Sequence, residues 1–480
     1  MRQFNFYGFV TMYGIIFLII LYKVLNVPVT TDEVPTYFFY SKFSIWDIMM
    51  YPDNWPNNHI LNTILTKFCI ALFGNEQWVI RLPNLLIFLL FAFMVFRILK
   101  LVLKQNSWFF LPGALLFVNP YLLDFFGLCR GYGLSTTFVT VSILLLLEGY
   151  NKEKDWMIWL SMFTSILASY ANFTALVFWP SVVILVWFYF FIKTKGRIKS
   201  LIKPTLFIFF ISLAYLALII VPIQKLQNTD QFKYWSSGGF YTDTIMSLIR
   251  EWRYNSKILT SIKSSLITGF IATVFFMNIY FLKRYLRKEN FSWRSFRNPI
   301  VISVLLLLLP VFINILQTII LKTPNLNGRT ALFFYPLFST FIVVAFSMLP
   351  QLKKQWIRKF VAITVGIIFI MNLSHRINLK SVKEWEYDRN SMEVINYLKG
   401  KYKGDPISLK TNWILHSSFY FYYDSGKIPW IDLQPYDYNI DITTPSEYYY
   451  AFAEDYKFLE PRFEVVYKFS PDRWLLKQRK

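Results

Sequence analysis

Only two cysteines occur in 480 residues, Cys69 and Cys129, so at most one disulfide can form, and their spacing matches no metal-ligand pattern. The chain is therefore not a disulfide scaffold. Charge is scarce as well: 16% of residues are Asp, Glu, Lys or Arg, where a soluble domain carries about 25%. That deficit excludes an ordinary soluble domain. Internal repeats and low-complexity linkers are missing, and no charge falls in the middle of an apolar run. Both absences count against a transporter or flippase, which typically repeats its halves and places ionisable groups near the midplane.

Apolar and aromatic residues take the vacated share, at 55% and 20%, with 50 phenylalanines. They gather into runs of roughly 18–23 residues, enough to cross about 30 Å of hydrocarbon as helix. Each run must be helical, because lipid leaves no partner for an open backbone amide. Spans are expected near 8–27, 82–103, 107–123, 132–149, 156–172, 174–192, 202–223, 259–282, 299–320, 331–349 and 357–373, about eleven in all. Residues 8–22 resemble a signal-peptide core, but Thr30, Thr31, Asp32 and Glu33 follow instead of a small-residue cleavage site, so the first span is read as uncleaved.

A net charge of +22 would point to nucleic acid in a soluble chain. Here the basic residues sit at span ends. Lys193, Lys195, Arg197, Lys199 and Lys203 form one such connector, and Lys353, Lys354, Arg358 and Lys359 another. Placing the basic connectors in the cytoplasm puts the N-terminus inside and the C-terminus outside a bacterial inner membrane. Membrane lipids are the expected partners of the surplus charge, and nucleic acid is not.

Three segments then lie outside: 28–81, about 224–258, and the tail from 375. The first mixes Tyr37, Phe38, Phe39, Tyr40, Phe43 and Trp46 with polar residues, which suits helices lying in the interface. The tail reads as a small α/β unit, residues 375–480, beside a membrane domain of residues 1–374. A helix is predicted over Asn390–Leu398, and strands over Ile407–Leu409, Ile428–Asp432 and Phe463–Phe469.

The chemistry-bearing residues cluster in the first segment. Asp32 and Glu33 follow directly on a span, where carboxylates are costly unless solvated, paired or working. The bland reading is a solvated helix start. Further on come Asp53 and His59, in Tyr51-Pro52-Asp53-Asn54-Trp55-Pro56-Asn57-Asn58-His59, and then Phe73-Gly74 and Arg81-Leu82-Pro83. Asp32, Glu33, Asp53 and His59 could together hold a divalent metal, though no tight ligand motif is present. Arg81, Arg130 and Arg329 fall at outer span ends, with Lys322 nearby; each either snorkels toward head groups or binds phosphate. Asp124 either pairs with Arg130 or orients an acceptor. His375 and His416 are read as structural.

The order of these pieces resembles the GT-C glycosyltransferases, on the branch of the protein-O-mannosyltransferases and aminoarabinose transferases. The matching pieces are the Asp32-Glu33 pair after the first span, the Asn58-His59 segment, Phe73-Gly74 leading to Arg81-Leu82-Pro83, Arg130-Gly131-Tyr132 entering the fourth span, and Asn327-Gly328-Arg329 before Phe334-Tyr335-Pro336. One departure stands out: relatives often carry His-Pro-Pro where this chain has His59-Ile60-Leu61.

The resemblance implies an all-α polytopic GT-C-like membrane domain, and Asp32 as catalytic base or part of a metal site, with Glu33 beside it. It implies an inverting glycosyltransferase that moves a sugar from a polyprenyl-phosphate donor to a hydroxyl or phosphate on a glycolipid, polysaccharide or protein. Arg130, Arg329, Arg81 and Lys322 are the expected donor-phosphate ligands. Asp53, His59, Asp124 and Tyr132 are expected to support the acceptor. A lipid-linked glycan polymerase or ligase is the alternative within the same chemistry.

Overall fold

The computed structural model describes residues 1–103, 107–227, 238–254, 297–349 and 355–479, except 437, 441, 444 and 445, with a few isolated positions between 269 and 283. The expected span 259–282 lies outside the described residues apart from those isolated positions, as does the whole stretch from 228 to 237.

The chain begins with α1 (Arg2–Asn26), which ends where Val27 turns extended ahead of Pro28. The first loop folds into three helices: α2 (Val34–Phe38), α3 (Ile45–Met49) and α4 (Ile60–Phe73). Helix α5 (Gln77–Val102) returns across the bundle. It is followed by α6 (Phe110–Leu116) and α7 (Pro120–Phe126), then α8 (Tyr132–Lys152), α9 (Asp155–Ala171), α10 (Phe178–Lys193) and α11 (Ile198–Gln227). A short α12 (Met246–Trp252) precedes α13 (Pro299–Leu321), α14 (Phe334–Met348) and α15 (Gln355–Arg376).

Seven helices among the described residues are long and apolar enough to cross a membrane. The chain is a multi-pass membrane protein. Helices α9 and α14, with 17 and 15 residues, coincide with expected spans but are shorter than those seven. Helix α8 forms the centre, with 83% of its apolar window buried, whereas α15 sits at the rim with 11%.

The single span expected at 107–123 is instead two short helices, α6 and α7. Proline explains the break. Asn119 is extended (φ −117°, ψ 125°), as a residue before proline must be, and Pro120 has no N–H to continue a helix. The Asn119 side chain accepts the Tyr121 N–H at 2.9 Å, so the second helix starts with its own cap.

Beyond α15 the tail forms a five-stranded mixed sheet in the order β2-β1-β3-β5-β4. Strand β1 (Ile407–Thr411) pairs in parallel with β2 (Ile431–Leu433) and β3 (Tyr448–Phe452). Strand β5 (Arg473–Gln478) runs antiparallel to β3 and to β4 (Phe463–Phe469). Helices α16 (Ser391–Lys399) and α17 (Trp413–Asp424) complete it. The predicted helix and three predicted strands all have counterparts here. The aromatic runs Trp413–Asp424 and Tyr448–Phe452 and the last strand lacked clear alternation and went unread.

The tail packs directly on the first loop. Val29, Val34, Tyr37, Ile80 and Cys129 share one apolar cluster with Leu415, Phe419, Tyr450 and Leu475. Rings meet across the joint, Tyr37 against Phe421 at 5.0 Å and Phe38 against Tyr420 at 4.8 Å.

A buried ion pair fixes the loop at its root. Arg81, in the first turns of α5, donates from Nε to Glu33 Oε1 at 2.8 Å and from Nη2 to Oε2 at 2.7 Å. Its remaining donors reach the carbonyls of Val27 (2.7 Å) and Pro28 (2.9 Å), at the exit of α1. Both side chains are fully buried. Removing one partner of such a pair leaves the other charged and unpaired, which costs about 3–5 kcal/mol. Arg81→Met is therefore expected to lower the thermal midpoint of the purified protein by several degrees or prevent folding, with Arg81→Lys intermediate, as read by thermal melting in detergent.

Candidate active site

The site is built on residue 32. The main chain leaving α1 turns at Thr30–Glu33, with the Glu33 N–H donating to the Thr30 carbonyl at 2.9 Å. Glu33 points inward to Arg81, so Asp32 points the other way, with a quarter of its side chain open to solvent. Two arginines converge on it. Arg329 Nη1 donates to Asp32 Oδ2 at 3.2 Å, and Arg130 Nη2 lies 3.6 Å from the same oxygen. Arg130 Nη1 also donates to the Asp32 carbonyl at 2.8 Å and to the Asn57 side chain.

Each arginine is held by its own loop. Arg130 lies between α7 and α8, 2% exposed. The neighbouring Cys129 N–H donates to Glu33 Oε1 at 2.6 Å, so one carboxylate anchors the strands carrying Asp32 and Arg130. Gly131 must be glycine: a Cβ there would lie 1.7 Å from the Ala171 carbonyl oxygen and 2.9 Å from His59 Nδ1. Arg329 sits in a 3-10 turn, Gly328–Ala331. That turn is tied down by Asn327 N–H to Thr330 Oγ1 at 2.9 Å and Gly328 N–H to Ser247 Oγ at 2.9 Å. Its guanidinium stacks over Trp385 at 5.1 Å, with a third of the side chain open.

Two guanidiniums against one carboxylate leave this trio net cationic. Two buried polar atoms there, the Arg130 Nε donor and the His59 Nε2 ring nitrogen, also lack a partner among the described residues. An orphaned buried donor costs about 1–3 kcal/mol, a cost that a polar ligand would remove. His59 is neutral: burial first, then the Arg130 and Arg329 charges, push its pKa well below the ordinary value, against a hydrogen bond to the Ala171 backbone. Its ring stands edge-on to Tyr132 at 5.1 Å.

Several expected residues are placed elsewhere. Glu33 and Arg81 are consumed by each other and by backbone groups, so neither is available to substrate. Burial works to raise the Glu33 pKa, but the Arg81 charge and the amide donors outweigh it and hold the carboxyl below its usual range. Asp124 does not pair with Arg130. It is bound by Lys23, itself buried near the end of α1, by the Tyr254 hydroxyl at 2.7 Å, and by the Lys383 N–H at 3.1 Å. A lysine so deep needs a counter-charge, and the turn of α7 brings this one to it. Asp53 is taken by the Tyr40 hydroxyl at 2.8 Å. Lys322 is exposed at the end of α13.

The residues do not fit a divalent metal. Among the described residues no group of three or more His, Cys, Asp or Glu side chains is placed to hold one. Asp32, Asp53 and His59 each have other occupations, and two guanidiniums beside Asp32 would repel a cation.

No family model matches the sequence, and no curated protein matches it. Among solved structures, ArnT from Cupriavidus metallidurans in the apo state superposes with a TM-score of 0.51 at 11% identity, covering 98% of this chain and 97% of that one. The chain has the GT-C membrane fold. The same ArnT bound to undecaprenyl phosphate gives a TM-score of 0.49 at 11% identity, over 98% of both chains. The oligosaccharyltransferase of Archaeoglobus fulgidus in the apo form gives 0.46 at 11%, over 86% of this chain and 63% of that one.

One wall of the cleft went unread in the sequence: the segment Lys383-Glu384-Trp385-Glu386-Tyr387-Asp388 just after α15. Its density of carboxylates and rings was the available signal. Trp385 carries Arg329, and Glu384 accepts from the Tyr121 hydroxyl. Lys383 pairs with Glu251 and lies over Tyr121 at 5.0 Å; burial pulls its pKa down to about 8. Asp388 accepts the Thr31 N–H at 2.8 Å, one residue from Asp32.

Burial, then the nearby Asp32 and Glu33 charges, hold the Asp388 pKa well above the usual carboxylate value, although hydrogen bonds from Thr31 oppose this. The folded protein thus binds the Asp388 proton more tightly than the unfolded chain does. Its contribution is fully present below the unfolded pKa of about 4 and is lost as pH rises through the folded value. Asp388→Asn, which cannot ionise, is expected to melt higher than the wild type at pH 8, with the gap closing toward pH 4. Parallel melts across that range check it, and a gap that widens on acidification would contradict the assignment.

Proposed function

We propose that the chain is an inverting glycosyltransferase acting on a polyprenyl-phosphate-linked sugar at the outer face of the bacterial inner membrane. The observation carrying this reading is the meeting of Asp32 with Arg130 and Arg329, a carboxylate between two guanidiniums at the membrane boundary. The donor phosphate docks on the two guanidiniums, whose forked donors match its oxygens. The acceptor oxygen attacks the anomeric carbon as the carbon–oxygen bond to phosphate breaks. The electron pair of that bond leaves on the phosphate, and Arg130 and Arg329 stabilise the growing charge. Asp32 takes the acceptor's proton, or orients an acceptor that is already ionised.

Inversion follows from the supply of carboxylates. A double displacement needs a nucleophile as well as a base, and Glu33 is locked to Arg81, Asp388 is buried behind Thr31 and Glu384 is held by the Tyr121 hydroxyl. One free carboxylate supports one displacement. The shared fold with ArnT favours a transferase of this type over a polymerase, ligase or flippase. The positive-inside distribution of Lys and Arg supports a cleft on the outer face.

Asp32→Asn is expected to lower transfer about 10²- to 10⁴-fold, the usual contribution of a general base, while polyprenyl phosphate still binds, since a negative charge has left a cationic cleft. Arg329→Ala should weaken binding of the lipid phosphate. Both are read with purified protein in nanodiscs, by radiolabelled sugar transfer and by lipid-phosphate titration. Full turnover by Asp32→Asn would end the catalytic assignment.

A further inference from the structure

The tail carries a second concavity that the transfer chemistry does not use. Helix α17 turns His416, Tyr420 and Tyr423 to one side, at the three- and four-residue spacing of a helix face. Leu433, at the end of β2, and Pro435 and Tyr436 just beyond it close the other side of a pocket of about 290 Å³. This lies at the small end of ligand-sized cavities, about 300–1,000 Å³. Two more rings extend its rim: Trp413 lies 5.5 Å from Tyr438, and Tyr438 lies 5.8 Å from Tyr436. Tyr423, Tyr436 and Trp413 are each about 40% exposed.

The lining has no formal charge. Burial pulls the His416 pKa down to about 4, so the ring is neutral at physiological pH. Its Nδ1 meets the Thr411 hydroxyl at 3.2 Å, which leaves Nε2 as the ring atom for a ligand. Neutral polar tips on aromatic walls do not select a phosphate or an acidic chain. They suit a molecule with apolar C–H faces and many hydroxyls.

The pocket also communicates with the catalytic loop. Tyr420, in its wall, packs on Phe38 of α2 at 4.8 Å. The Thr31 hydroxyl, beside Asp32, donates to the Ile414 carbonyl at 3.0 Å, next to Trp413. A chain held by the tail's rings would lead toward Asp32.

We propose that this pocket binds a neutral saccharide, the glycan of the acceptor, with the Tyr420, Tyr423 and Tyr436 rings against the sugar's C–H faces and His416 bonding a hydroxyl. The assignment rests on the transferase reading for its biological sense, but its test does not. Cellohexaose and chitohexaose are added to the full chain in nanodiscs, and saturation-transfer NMR reads their binding. Both wild type and Asp32→Asn should bind at least one of them. Tyr436→Ala and His416→Ala should lose at least tenfold in affinity at unchanged melting temperature, whereas Tyr436→Phe retains it. Sugars bound equally by Tyr436→Ala, or bound by none of the proteins, overturn the proposal. So does capture of a proline-rich decapeptide, the other common occupant of aromatic grooves, where neither sugar binds. Absent sugar binding alongside a transfer-dead Asp32→Asn sinks the pocket alone. Sugar binding by a wild type that transfers no sugar sinks the transferase reading alone.

Discussion

The arrangement depends on one buried ion pair. Glu33 and Arg81 have no contact with solvent, and together they settle three separate backbones. Arg81 satisfies carbonyls left open where α1 ends, as every helix end leaves some. Glu33 gathers the Thr30 and Cys129 amides. The residues on either side of those contacts, Asp32 and Arg130, thereby acquire a fixed separation. A carboxylate locked in a buried ion pair thus sets the position of the one that faces the cleft. Such pairs add little net stability over well-packed apolar groups, but they are severe when half-broken. Here the gain is positional.

The second constraint is the seating of the tail on the first loop. Asp388, Ile414 and Tyr422 each bond to residues 29–31, and Trp385 supports Arg329. The soluble unit is therefore part of the cleft wall and not only a cover. This also explains the crowded polar and aromatic run after α15: it has to meet a turn of charged loop, a guanidinium and the sheet domain at once.

Much of this was legible in the sequence and some was not. Apolar runs announce helices because lipid admits nothing else, so most spans were placed within a few residues. The run at 107–123 misled, since hydropathy does not register that Asn119-Pro120 stops one helix and starts another. Asp32, Arg130 and Arg329 were visible as charged residues at span ends, in an order that resembles the GT-C glycosyltransferases. Their partners were not visible. Charge type and position gave Glu33 and Arg81 the same standing as Asp32 and Arg130, and only burial separates the pair that is locked from the trio that is open. Asp124 illustrates the same limit: six residues from Arg130, it found Lys23 because helix rotation, not sequence distance, decides neighbours. Within the tail, regular alternation revealed strands, whereas the aromatic stretches Trp413–Asp424 and Tyr448–Phe452 carried no clear alternation.

Asp32 and Arg329 stand 297 residues apart. During synthesis the carboxylate therefore enters the membrane region with the first hairpin, long before its distal guanidinium exists. The cleft cannot be assembled by an amino-terminal fragment that stops short of residue 329, because one of the two guanidiniums facing Asp32 would be missing.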